Sequence, residues 1–181
     1  MDRTPLSSRP LDKLWFLWFV IHIPLTAVID GQAIYPRHLV PGFIRSLYLQ
    51  ALEFSKDTLM LGMEKQDPSL FWFKGFICLE VFFQLPLFFV GAYCLYYNIK
   101  SIYPLLLIYS ASVCTTLLPC LQHIISPPPT LPRPTNFQLV FGLGTYIPFF
   151  LLPFGMMLDM ASRLGKALER DEKRAAGKKR A

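Results

Sequence analysis

The chain has 181 residues, 53% of them hydrophobic and only 17% charged, with a formal charge of +6 at neutral pH. Its apolar residues fall in long blocks rather than in an amphipathic rhythm, which is the composition of an integral membrane protein. It holds no nucleotide-binding loop, metal-ligand constellation or nucleic-acid module, so an ATPase, a metalloenzyme and a nucleic-acid binder are set aside and no cofactor is expected.

Four blocks approach or exceed the roughly 20 residues that a helix needs to cross about 30 Å of hydrocarbon. The first occupies residues 14–34: it runs from Leu14 to Ile29 and continues through Asp30. A signal peptide is set aside, because no small-residue cleavage site follows and the block runs into a charged residue. In the loop from Gly31 to Phe73, the stretch Phe43 to Phe54 has the spacing of an amphipathic helix that lies on the bundle. The second span, residues 75–97, is interrupted by Glu80, Gln84 and Pro86, and the third covers residues 103–125. Ser126 to Pro134 has five prolines in nine residues, a stiff extended connector to the fourth span at 137–158. One four-span domain over 14–158 is expected, flanked by a short amino terminus (1–13) and a basic tail (159–181).

The fold class is therefore all-α integral membrane, a four-transmembrane-helix bundle. Pro24, Pro86, Pro119, Pro148 and Pro153 lie within spans. Each removes a helix hydrogen bond and crowds the carbonyl four residues earlier. Kinked helices splay and leave a cavity, although proline is also commoner in membrane helices generally.

From Arg163 to the end there are eight Lys/Arg against three acids, a local balance of +5. Positive-inside logic puts this tail in the cytosol, and four spans put the amino terminus, with Arg3, Arg9 and Lys13, there too. Lys100, between spans two and three, falls on the same side. The tail also suits attraction to anionic membrane lipid, and its last residues, Lys178-Lys179-Arg180-Ala181, match a dilysine retrieval signal of the early secretory pathway. Localisation in the endoplasmic reticulum membrane is the expectation. Cys78, Cys94, Cys114 and Cys120 all fall inside spans and read as packing residues.

The polar residues within the spans line up. His22, Thr26 and Asp30 are spaced i, i+4, i+8; Glu80 and Gln84 repeat the spacing, as do Ser112 and Thr116, and the fourth span adds Thr145 and Tyr146. Lipid offers these groups no partner, so four polar faces turn toward each other, either as hydrogen-bonding glue or as a site. The acids Asp30 and Glu80 favour a site, since ionisable groups inside a membrane usually mark function. His22 reads either as a hydrogen-bonding core residue or as a ligand or catalytic group.

The order His22-Ile-Pro-Leu-Thr, Asp30-Gly-Gln-Ala, Pro36-Arg37, Glu53-Phe54, Lys56-Asp57, Trp72-Phe73-Lys74, Glu80, Gln84-Leu85-Pro86, Tyr109-Ser110, Thr115-Thr116-Leu117, Pro119, Tyr146, Pro148 and Leu151-Leu152-Pro153-Phe154 resembles the sigma-2 receptor family. These are four-span proteins of the EXPERA group, which also includes the emopamil-binding sterol isomerase. The resemblance implies an internal pocket that opens laterally to lipid and accepts sterols or hydrophobic amines. It implies that Asp30 pairs with a ligand ammonium, that Asp57 orders the site beside it, and that Glu80 and Gln84 line or support the pocket. The candidate ligand-binding set is Asp30, Asp57, Glu80, Gln84, His22, Thr116, Tyr146 and Phe149; no catalytic or metal-ligating residue is assigned. Phe149 stands where the family has a pocket tyrosine, and Ser112 where it has a histidine, so ligand preference does not transfer.

The function implied is non-enzymatic binding of a sterol or cationic amphiphile in sterol homeostasis, with a Niemann-Pick type sterol transporter as partner and homodimerisation by family analogy. One alternative is a factor that aids delivery of mitochondrial precursor proteins from the endoplasmic reticulum, as in a fungal branch. The other is a sterol double-bond isomerase. This chain keeps an acid at Glu80 but has no histidine between Gly75 and Tyr97, so His22, on another helix, would have to replace it.

Overall fold

The computed structural model describes residues 4–127, 129 and 133–178, and every regular element among them is helical. Four helical stretches are long and apolar enough to cross a membrane: Pro10–Ala33, Pro68–Tyr96, Lys100–Ile125 and Asn136–Lys178. The first is α1 (Pro10–Val28) followed by a 3₁₀ turn at Asp30–Ala33. Pro10 stands in the first helical turn, where its missing N–H leaves no bond unmade. Asp30 thus lies just beyond α1 rather than on it, a correction to the helical spacing read from the sequence.

The loop folds as α2 (Gly42–Ser55) and α3 (Thr58–Glu64). Tyr48 and Leu52, one turn apart on α2, are its buried residues, as the amphipathic spacing of this stretch requires. The second span is α4 (Phe71–Leu79), a π turn at Glu80–Gln84, and α5 (Leu85–Tyr96). Pro86 sits directly after the wide turn. It has no N–H to give and would crowd the carbonyl of residue 82 in an α-helix, and one π turn relieves both conflicts. Then come α6 (Tyr103–Ile125) and α7 (Asn136–Lys178), which contain Pro119 and Pro148 with Pro153.

A reciprocal cap starts α7: the Thr135 N–H donates to Gln138 Oε1 at 2.9 Å, and the Gln138 N–H to Thr135 Oγ1 at 3.3 Å. At 1.5 Å per residue, 43 residues span about 65 Å, far more than a bilayer core. The basic tail is the continuation of α7 as far as Lys178. Lys179, Arg180, Arg3 and much of the proline-rich connector (128 and 130–132) lie outside the described residues.

Helix α1 packs along α5, and α6 along α7. One core gathers Trp15, Trp18, Phe19, Phe88, Leu95, Leu106, Tyr109 and Met156 from these four helices. A second, formed by Tyr48, Leu52, Leu59, Phe73, Ile77, Cys120 and Ile124, lies under the loop helices. Gly91 lets α1 approach α5: a Cβ there would sit 2.9 Å from Phe19 Cε2 and 3.4 Å from a Leu106 methyl. Gly91→Val is expected to lower stability by about 1–3 kcal/mol through overpacking, measured as a fall in melting temperature in detergent.

A polar network that the sequence did not announce joins the spans at one end. Asp12, 3% exposed, receives Arg9 and also Arg163 Nη1 at 2.6 Å. Arg163 Nε donates to Asp159 Oδ1 at 2.9 Å and its Nη1 to the Tyr103 hydroxyl at 3.1 Å; Trp15 Nε1 donates to Asp159 Oδ2 at 2.9 Å. Arg9 Nη2 donates to the carbonyls of Leu95 and Tyr96 at 2.9 and 3.2 Å, closing the carboxyl end of α5. The start of α1, the turn after α5, the start of α6 and the Arg163 stretch of α7 therefore share one end of the bundle.

Candidate functional site

Between the two cores lies a cavity of about 350 Å³. Trp18, Phe88, Tyr109 and Val113 from the first core and Tyr48, Leu52, Phe73 and Ile77 from the second form much of its wall. His22, Asp30, Asp57, Glu80, Gln84, Thr116, Tyr146 and Phe149, the candidates named above, all line it.

Asp57 is placed by the backbone before it. Lys56 ends α2 in the left-handed conformation, φ 50°, which turns the chain sharply and puts Asp57 at the amino end of α3. There Asp57 Oδ1 accepts from the N–H groups of Leu59 and Met60 at 2.9 and 3.0 Å, while Oδ2 accepts from the Tyr146 hydroxyl at 2.8 Å. Both oxygens are engaged, so this carboxyl group holds α3 against α7 and borders the cavity. Tyr146→Phe is expected to leave Oδ2 without its donor and to lower stability by about 1–3 kcal/mol, read as an earlier thermal transition.

Asp30 and Glu80 arrive from different spans and their side chains meet within hydrogen-bonding contact, with Asp57 close enough to act on Asp30 electrostatically. Buried Thr26 donates to Glu80 Oε1 at 2.6 Å and thereby aims it. Two acids this close hold a proton between them rather than two charges, and a cationic group at the pair can take that proton's place. Low dielectric makes such a contact strong, although desolvation of the cation offsets part of it.

Aromatic rings hold His22. Its centroid is 3.7 Å from Trp18, 5.2 Å from Phe149 and 5.8 Å from Phe88. His22 Nδ1 lies 2.7 Å from the Trp18 carbonyl, which can only accept, so Nδ1 carries the proton. Trp18 Nε1 in turn donates to the Tyr109 hydroxyl at 2.9 Å.

The threonines of the third and fourth spans differ from the reading as inter-helix glue. Thr116 Oγ1 donates to the Ser112 and Val113 carbonyls at 3.1 and 3.2 Å, Thr115 to Ala111 at 2.9 Å and Thr145 to Phe141 at 3.0 Å, all within their own helices. A short hydroxyl reaches the carbonyl one turn back more readily than a neighbouring helix. Ser112 is not among the cavity residues, whereas Thr116 and Thr145 are.

The sequence reading passed over several wall residues. Trp18 lies one turn before His22 on the same face, a spacing that would have found it. Tyr48 had only amphipathic spacing to mark it; burial, reinforced by Glu64 and partly offset by Arg45, pushes its phenol up to about 12, so the hydroxyl stays neutral. Thr58, 2% exposed, has a hydroxyl without a partner among the described residues, and no pattern in the sequence identifies it.

Residues 43–160 match the family described as EXPERA (EXPanded EBP superfamily). The sigma intracellular receptor 2 of Homo sapiens is 33% identical over 164 residues, covering 86% of this chain and 90% of that protein. The Xenopus tropicalis protein of the same name is 32% identical over 165 residues, with 86% and 90% covered. Efficient mitochondria targeting-associated protein 19 of Saccharomyces cerevisiae is 31% identical over 78 residues, 42% of this chain and 45% of that protein.

Proposed function

The chain belongs to the EXPERA superfamily, and from that premise we propose that it is a non-enzymatic membrane receptor for sterols or hydrophobic amines. One observation carries the reading: a mainly apolar and aromatic cavity has the Asp30–Glu80 carboxyl pair on its wall, with Asp57 beside it. An amphiphile with a cationic head and a rigid apolar body matches that wall, its ammonium at the acids and its body along the aromatic rings. A cavity at the low end of the ordinary small-molecule range suits one such ligand. The relatives named as receptors support this reading over a catalytic one.

In this proposal ligand enters from the bilayer, the protein resides in the endoplasmic reticulum with both termini cytosolic, and it acts in sterol homeostasis, as a homodimer and with a sterol transporter as partner. The basic stretch that begins at Arg163 supports the cytosolic side for that end of α7. The partial match to the yeast protein supports a second reading, delivery of mitochondrial precursors.

The test uses purified protein in detergent and a labelled sterol with a shifted double bond, following bound label and product together. Saturable binding without product is the expected result. Turnover that Glu80→Gln abolishes would replace the receptor reading with an isomerase, and neither binding nor turnover would move the weight to precursor delivery.

A further inference from the structure

The cavity wall carries two polar groups that the acid pair leaves unused. Gln84 is only 7% exposed, yet its amide has no hydrogen-bond partner among the described residues, and neither amide atom is sealed away from the cavity it lines. His22 is in the same position at one nitrogen. Its Nδ1 proton goes to the Trp18 carbonyl, so Nε2 is an acceptor, again unpartnered among the described residues and open to the cavity. Buried polar groups are normally satisfied, so an amide and an imidazole nitrogen that both lack partners at one place point to a ligand.

The two stand at one level of the bundle. Spans one and two are consecutive, so they run antiparallel, and the Thr26–Glu80 hydrogen bond sets their register. One turn before Thr26 is His22, and one turn after Glu80 is Gln84, about 6 Å farther from Asp30 at 1.5 Å per residue. The contact of His22 with Phe88, one turn past Gln84, agrees with this register. The charged wall residues Asp30, Lys56, Asp57 and Glu80 all lie on the other side of this level, with Lys56 beside Asp57 and held by Glu53. Tyr48 also keeps an unbonded hydroxyl, but it feels Asp57 and Asp30 and so belongs to the acid end.

We propose that His22 and Gln84 form a second polar subsite, for a neutral hydroxyl, so that the cavity selects hydrophobic amines whose rigid body carries an alcohol at the end away from the ammonium. This rests on the receptor reading above and names which amines that receptor takes. The alcohol donates to His22 Nε2 and accepts from the Gln84 amide N–H. A ketone only accepts, so it serves Gln84 alone, and a hydrocarbon serves neither. An ammonium finds no carboxylate at this level and goes instead to Asp30 and Glu80.

The test measures equilibrium binding to the detergent-purified full chain of an aminosteroid with its amine on ring D and an alcohol on ring A, beside the ketone and deoxy analogues of the same amine. The deoxy compound is expected to bind about tenfold more weakly than the alcohol, the scale of losing a hydrogen bond to a buried group, with the ketone between them. Gln84→Met, which keeps the length and removes the amide, should make the ketone bind like the deoxy compound. His22→Phe should make the alcohol bind like the ketone. Asp30→Asn should weaken all three alike and leave their ratios unchanged. Equal binding of alcohol and deoxy compound by the native chain overturns the subsite, whether or not the variants fold. An unchanged ketone-to-deoxy ratio in a cooperatively melting Gln84→Met protein also overturns it. Failure of all three amines to bind the native chain removes the receptor reading itself, and the subsite with it.

Discussion

Asp30→Asn is expected to lower the affinity for a cationic amphiphile by at least about thirtyfold, the lower end of the loss incurred when one member of a buried, hydrogen-bonded charge pair is removed. The substitution keeps volume and shape, so the 3₁₀ turn at Asp30–Ala33 and the contact with Glu80 have no steric reason to change. What changes is the charge where Asp30 and Glu80 meet on the cavity wall. A neutral sterol uses the apolar wall and should lose far less, so the ratio of the two affinities is the informative quantity. Equilibrium binding of one labelled amine and one labelled sterol to the same preparation measures it. Equal affinities in native and variant protein would remove Asp30 from the anchor role.

The other large effect is expected at the far end of the bundle. Asp12 is 3% exposed and accepts from two guanidinium groups, so Asp12→Ala leaves Arg9 and Arg163 without their shared anion. Breaking a buried pair by removing one partner is destabilising by about 3–5 kcal/mol. The loss should appear as a lower midpoint in thermal melts, while Lys166→Ala, exposed on the same helix, stays within about 0.5 kcal/mol. The double variant Asp12→Ala/Arg163→Ala should lose less than the sum of the single variants, because the two residues meet directly. An Asp12→Ala protein that melts like the native chain would show that the network contributes nothing to holding the spans together.

Because ligand binding and the clamp lie near opposite ends of α1, the two variants separate the roles. Asp30→Asn should melt normally and bind poorly. Asp12→Ala should melt early and, while folded, keep its ligand.

The spans, the amphipathic α2 and the four-span fold class were legible because each is a local property: hydropathy along a segment, or one apolar stripe repeating every turn. The acids were legible as candidates for the same reason, since a carboxyl in an apolar run stands out against lipid. The family pattern added Asp57, whereas Tyr146 already stood out as a polar residue of the fourth span; no spacing links the two, yet 89 residues apart they meet through a 2.8 Å hydrogen bond. Thr115, Thr116 and Thr145 misled as inter-helix glue because spacing shows which face a hydroxyl is on but not whether it turns back to its own helix.

The sequence by itself determined that this chain crosses a membrane four times and carries ionisable groups where lipid cannot serve them. Transfer into hydrocarbon is close to a sum over the residues of a segment, so it can be read along the chain. Only the tertiary structure decided which groups meet: Asp30 with Glu80, Asp12 with Arg163, and an amide oxygen of Gln32 with none among the described residues. Those pairings depend on the rotation and register of each helix against its neighbours, including the extra turn width at Glu80–Gln84, and these are set by packing among residues far apart in the chain.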